Sequence, residues 1–159
     1  MFESGIEMIQ LKAMAPLLAL AGALLACAGS AAAVAPLREY RNVALSGVGE
    51  RIVALESSDP GGLPLRPHAS VVVRDAASGA VLHEYDPCPT CIYNCPSWAP
   101  DGSRVAFIGV DSGAGSATLY VAAQGKAEAL LSLKGVASTP RWSPDGATLA
   151  LLAMGPVGQ

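Results

Sequence analysis

A short phrase occurs twice in this chain and limits its fold more than any other feature. Residues 96–108 read Pro-Ser-Trp-Ala-Pro-Asp-Gly-Ser-Arg-Val-Ala-Phe-Ile, and residues 140–152 read Pro-Arg-Trp-Ser-Pro-Asp-Gly-Ala-Thr-Leu-Ala-Leu-Leu. The copies align without a gap at an offset of 44 residues, so that Trp98 matches Trp142, Pro100 matches Pro144, Asp101 matches Asp145 and Gly102 matches Gly146. Pro presets φ for the second position of a type I turn, Asp suits the third, and Gly supplies the left-handed residue that follows. A type I turn closed by a left-handed Gly makes a hairpin with a bulge. The residues after each turn, 105–108 and 149–152, are apolar without alternation. Both faces of those strands are therefore expected to be covered.

Self-similarity at a period of roughly 40–45 residues, with hairpins in each period, is the pattern of stacked four-stranded units arranged as blades. A weaker third copy lies at residues 42–55, where Leu45 takes the Trp place, Gly49 takes the Gly place, and Gly47-Val48 replaces Pro-Asp. The second halves of the units also correspond. Residues 69–74 and 80–85 flank a Gly-containing turn at 75–79, and 117–122 and 128–133 flank another at 123–126. The expectation is an all-β chain, an incomplete β-propeller of about two and a half four-stranded antiparallel blades. Blade one covers about 40–87, blade two about 96–134, and the start of blade three about 139–154. Hairpin turns are expected near 100–102, 111–116 and 123–126, with no helix between 96 and 133. A propeller ring closes with about four to eight blades. The chain is accordingly read as an N-terminal fragment of a longer protein, silent in catalysis and poorly stable alone.

The first 33 residues read as a targeting segment. Lys12 precedes an apolar run at 13–26 rich in Ala and Leu, and small residues follow through Ala33. This order is that of a secretory signal peptide, and the run is too short for a membrane-spanning helix to be the first reading. Cleavage is expected after Ala33. Leu24-Leu25-Ala26-Cys27 also has the form of a lipoprotein cleavage box, with Cys27 as the candidate lipidated residue. The chain is thus expected to be exported, to the periplasm or the extracellular space, and to meet a membrane only through that anchor.

Cys88-Pro-Thr-Cys91-Ile-Tyr-Asn-Cys95 is the one cluster that the repeat does not account for. A structural zinc site takes about four ligands, and three Cys with a distant His83 fall short. A redox C-x-x-C normally belongs to a βαβ setting, whereas this segment is flanked by strands. A structural disulfide suits an exported chain best. A bond from Cys95 to Cys88 or Cys91 would pin the connection between the units, although the pairing is not readable from sequence. His68 reads as a solvated loop residue and His83 as a strand-face residue. Asp101 and Asp145 occupy one repeat slot and are assigned to turn hydrogen bonding.

No G-x-S-x-G nucleophile elbow, calcium loop, phosphate loop or dinucleotide fingerprint occurs. Catalytic, cofactor-binding and metal residues are assigned to none. The net charge of −3 with 14% charged residues gives no basic patch for nucleic acid.

The paired phrases, from about residue 40 onward, resemble the repeats of TolB-type propellers. The same repeat resembles that of the N-terminal propeller of the prolyl oligopeptidase family. The second resemblance implies an exported serine peptidase whose propeller gates or positions peptide substrates for a hydrolase domain absent from this chain. The first implies a propeller that binds a protein partner. The start of the blades soon after the leader favours the peptidase front, because TolB-type proteins carry a small domain before the ring.

Overall fold

A computed structural model of the chain describes residues 37–58 and 67–155. The leader with Ala33 and Cys27, the insertion at 59–66 and residues 156–159 lie outside the described residues. All described residues belong to one compact unit, Pro36–Gln159.

Three antiparallel sheets follow one another along the chain. The first is ordered β1(Glu39–Leu45), β2(Arg51–Ser57), β3(Ser70–Asp75), β4(Val81–Tyr85). The second is ordered β5(Ile92–Trp98), β6(Val105–Asp111), β7(Ser116–Ala123), β8(Lys126–Lys134). The third pairs β9(Val136–Trp142) with β10(Leu149–Met154). The described residues contain no helix. The hairpin turns expected within the second sheet fall where the sequence puts them, and that sheet begins earlier, at Ile92. The arrangement fits a TolB-like propeller in its all-β, four-stranded antiparallel units, and the described residues do not close a ring.

The second sheet is packed on both faces. Val105 and Phe107 of β6 join Val53, Leu55, Val71, Val73 and Tyr93 in one core. Ala106 and Ile108, pointing the other way as pleating requires, join Ala117, Leu119 and Ala137 in a second core, with Leu149 and Leu151 against it. This explains why β6 is a continuous apolar run. β10 departs from the expectation for 149–152. Leu149 and Leu151 face the second sheet, but Leu152 is 68% exposed and Met154 65%, because the described residues place a sheet against only one side of β10.

The turn after β1 shows what the repeat demands. In all three copies the residue after the Trp place donates its N–H to the carbonyl two residues beyond the Gly: Ser46 to Arg51 (2.8 Å), Ala99 to Arg104 (2.8 Å) and Ser143 to Thr148 (2.9 Å). In all three the Gly N–H returns to the carbonyl of that first residue at 2.9 Å. Gly49, Gly102 and Gly146 have φ of 76°, 68° and 68°, a region in which Gly avoids the Cβ penalty. The first copy thus makes the same turn with Gly47-Val48 where the others have Pro-Asp. Ser46 Oγ, accepting from Arg51 N at 3.1 Å, does there what Ser143 Oγ does for Thr148 N at 2.9 Å.

Candidate functional site

The repeat phrase fixes how neighbouring sheets meet. Trp98 Nε1 donates to Ala44 O at 3.1 Å, and Trp142 Nε1 donates to Ser97 O at 3.1 Å. Ala44 and Ser97 occupy the same slot, one residue before the Trp place. A second contact runs the other way along the chain. Arg51 Nη1 donates to Gly102 O at 3.4 Å, and Arg104 Nη2 donates to Gly146 O at 2.8 Å. The Arg104 guanidinium also lies over the Trp142 ring, 4.6 Å from its centroid, within cation–π range. Pro100 packs 3.6 Å from the position a Cβ on Gly146 would take, so the turns of successive sheets nest. Asp101 and Asp145 serve their own turns. Asp101 accepts from Ser103 N (3.0 Å) and Ser103 Oγ (2.7 Å), and Asp145 accepts from Ser143 Oγ and from Ala147 N (3.0 Å). Backbone donation at Ser103 and hydroxyl donation at Ser143 are the leading causes that hold the two carboxyls below the usual range. Pro144 is part of the third copy of the turn.

A feature that the sequence reading missed lies three residues before the Trp place. Asn42, Cys95 and Thr139 have φ of 50°, 52° and 54°. The strand register slips at each of these places, between Arg41 and Ala44, between Asn94 and Ser97, and opposite Ala150 to Leu152. Each first strand therefore carries a bulge, which bends the strand and re-aims its side chains. The three bulges line one groove of about 320 Å³, with Val43, Pro96, Pro140 and Arg141 beside them. A signal was available in the sequence: the slot precedes Pro in two of the three copies. A separate cleft of about 230 Å³ between the first two sheets includes Arg51, His83, Trp98 and Gln124.

The Cys cluster lies in the connection from β4 into β5. Cys88 and Cys91 form the disulfide, with Cα atoms 5.3 Å apart, and Cys95 is free. A disulfide is thus present in the cluster, but it differs from the expected bond to Cys95. The left-handed bulge places Cys95 in the groove, away from the pair in the loop. The Cys88–Cys91 bond spans three residues of one loop and pins no element to another. His68 is an exposed loop residue, as expected, and it is also held by hydrogen bonds. Its Nδ1 lies 3.1 Å from Cys91 O and its Nε2 lies 3.0 Å from Asp86 Oδ1. Tyr93 completes the network, accepting from Cys88 N at 2.6 Å and lying 2.9 Å from Asp86 Oδ1 and 3.0 Å from Cys88 O. Burial, ahead of these contacts, pushes the Tyr93 phenol well above its usual range, so it stays protonated and able to donate.

No family model matches the chain. A 57-residue stretch is 37% identical to the Tol-Pal system protein TolB of Alcanivorax borkumensis, covering 35% of this chain and 13% of that protein. The similarity joins the all-β architecture in pointing to a TolB-like propeller. Among the described residues no helix is long and apolar enough to cross a membrane.

Proposed function

We propose that the chain is part of an exported TolB-type propeller that binds a protein partner, and that the groove along β1, β5 and β9 is where it does so. The carrying observation is the convergence of three left-handed bulges on one groove. Bulged strands expose backbone groups and re-aimed side chains to a partner instead of to a ladder. The lining is chiefly neutral, with Arg141 as its cation, which suits a polypeptide segment better than a nucleic acid. Similarity to a Tol-Pal system protein supports a partner from the equivalent system of the chain's own cell. A ring needs about four to eight blades, so the reading sets these sheets beside further blades. The leader supports export, with cleavage after Ala33 or lipidation at Cys27. The peptidase-gate reading rests on where the sheets begin and gains no second observation.

The test is calorimetric titration of the purified chain against the Tol-Pal proteins of its cell. Arg141→Glu and Asn42→Arg are expected to weaken binding at least tenfold, a loss of about 1.4 kcal/mol. Ser132→Ala on β8, far along the second sheet, is expected to leave it unchanged. Equal loss in all three variants, or none in the groove variants, refutes the assignment.

A further inference from the structure

The Cys88–Cys91 bond closes so short a loop that it offers the fold less than a long-range bond would. The stability a cross-link supplies by restricting the unfolded chain grows with the length of the loop closed, and here the separation is three residues. Other contacts hold the loop's shape. Cys91 N donates to Cys88 O at 2.9 Å. Tyr93 Oη takes Cys88 N, and His68 sits on Cys91 O and Asp86. None of these contacts on the two cysteine backbones uses the sulfur–sulfur bond.

A third side chain meets the pair from the end of β6. One ligand atom each from Cys88, Cys91 and Asp111 lie within 4.8 Å of one another. Asp111 is oriented for this. Its Oδ1 accepts from Ala114 N at 3.0 Å in its own turn, while Oδ2 lies 3.5 Å from Thr90 Oγ1, which is 3.6 Å from Cys88 Sγ. Two sulfurs and one carboxylate form a donor set that selects a thiophilic cation of the zinc class, and three protein ligands with one open position is a known zinc arrangement.

We propose that Cys88, Cys91 and Asp111 form a redox-gated metal site, closed as the disulfide and opened to one zinc-class ion by reduction. The reductant is a dithiol. Its two thiols become a disulfide, and its two electrons and two protons pass to Cys88 and Cys91 as their bond breaks. Zn²⁺ then displaces both thiol protons to solvent and forms two metal–sulfur bonds. Asp111 gives the third bond and water the fourth. A disulfide oxidant reverses the sequence, taking two electrons from the thiolates and releasing the ion. Thiol–disulfide exchange of this kind is set by the redox poise of the compartment. The site is distinct from the groove and does not rest on the partner-binding reading.

Cobalt is the probe, on the full chain with Cys27→Ser and Cys95→Ser so that only the pair can supply thiolates. A phosphine reduces the pair without adding a competing thiol. The reduced chain is expected to take up one Co²⁺ with a thiolate-to-cobalt charge-transfer band, and the oxidised chain none. Asp111→Asn is expected to weaken uptake by more than the roughly 10–100-fold that loss of an outer-shell partner costs, and Asp111→Cys to restore it. Thermal melting of the reduced, metal-free chain checks that the fold survives. No charge-transfer band in a folded reduced chain, equal uptake by the oxidised chain, or unchanged affinity in Asp111→Asn overturns the proposal.

Discussion

Gly109 sits in β6 where a side chain would strike rings on the two neighbouring strands of its own sheet, and replacing it by Ala is a direct test of how the aromatic face of that sheet packs. A Cβ built there lies 2.9 Å from Tyr120 Cε2 and 3.2 Å from Tyr93 Cε1. The first distance is one that real Cβ atoms essentially never show, so a ring must move. Neither is free to do so. Tyr120 is stacked on Phe107 with centroids 5.4 Å apart, and Phe107 is fully buried. Tyr93 meets Phe107 edge-on at 5.4 Å and is tethered through its hydroxyl to Cys88 and Asp86. Overpacking of this kind costs about 1–3 kcal/mol, while exchanging Gly for Ala in a strand returns about 0.5–1 kcal/mol. Taking the middle of each range, the expected net loss is about 1.2 kcal/mol. At roughly 4 °C per kcal/mol for a unit of this size, the melting midpoint falls by roughly 5 °C. Tyr93→Phe removes the tether and should let the ring yield, so the double variant is expected to lose less than the sum of the singles by about 0.5–1 kcal/mol. A Gly109→Ala chain that melts at or above its parent refutes the packing argument. Additivity in the double variant refutes the tether.

Four further outcomes are expected. Arg104→Ala should cost about 1–2 kcal/mol, because it removes both a charged donor to Gly146 O and the stacking on Trp142, whereas Arg51→Ala, with a 3.4 Å contact, should cost less by chemical denaturation. Glu56→Ala should cost about 1–3 kcal/mol in the same assay, the range of a charge-assisted hydrogen-bonded pair, since Glu56 is 1% exposed and paired through both oxygens with Arg74 at 2.6 and 2.7 Å, while Arg74 keeps Gly79 O and access to solvent. Acid should destabilise the chain: Asp75, Asp101 and Asp145 have lowered pKa values through hydrogen bonds from Ser78, Ser103 and Ser143 respectively, so their contribution is full above the unfolded carboxylate pKa of about 3.9 and is lost as pH falls through the lower folded values. Melting midpoints taken from pH 6 downward (about 6 to 2, spanning that range) should flatten in Asp101→Asn. Alkylation of the unreduced chain followed by peptide mapping should label Cys95 among the described cysteines, and Cys88 and Cys91 only after reduction.

The units and their turns were readable because the phrase at 96–108 and 140–152 carries strong local signals, a Pro, an Asp and a Gly each with its own backbone preference. The first copy was readable only by rhythm, and Ser46 explains how its turn survives without Pro-Asp. The groove was only partly legible. A Pro follows Cys95 and Thr139, but Asn42, Cys95 and Thr139 share a backbone conformation and no chemistry of their own, so the residue types in the slot gave no sign that they belong together. The reach of Arg51 and Arg104 across to the next sheet was also missed, although both stand two places after the Gly. The disulfide partner was beyond sequence for a plain reason: three cysteines within eight positions allow several pairings, and only the bulge that turns Cys95 toward the groove separates them. His68 lay far from Asp86 in sequence, and only the placement of the connection beside it made the pair.

The two contacts between sheets have a direction. The indoles of the second and third sheets reach back to a carbonyl already laid down, while the guanidinium groups of the first and second reach forward to a carbonyl still to come. Both acceptors are backbone atoms, present whatever the side chain. A unit added or removed at the repeat boundary would find the same acceptors in the same slots, so these contacts can count neighbours but cannot count units. The forward reach ends in the third copy, where Thr148 occupies the place of Arg51 and Arg104 and its hydroxyl is too short to span. The third sheet therefore presents this slot without the forward contact that the first and second sheets make.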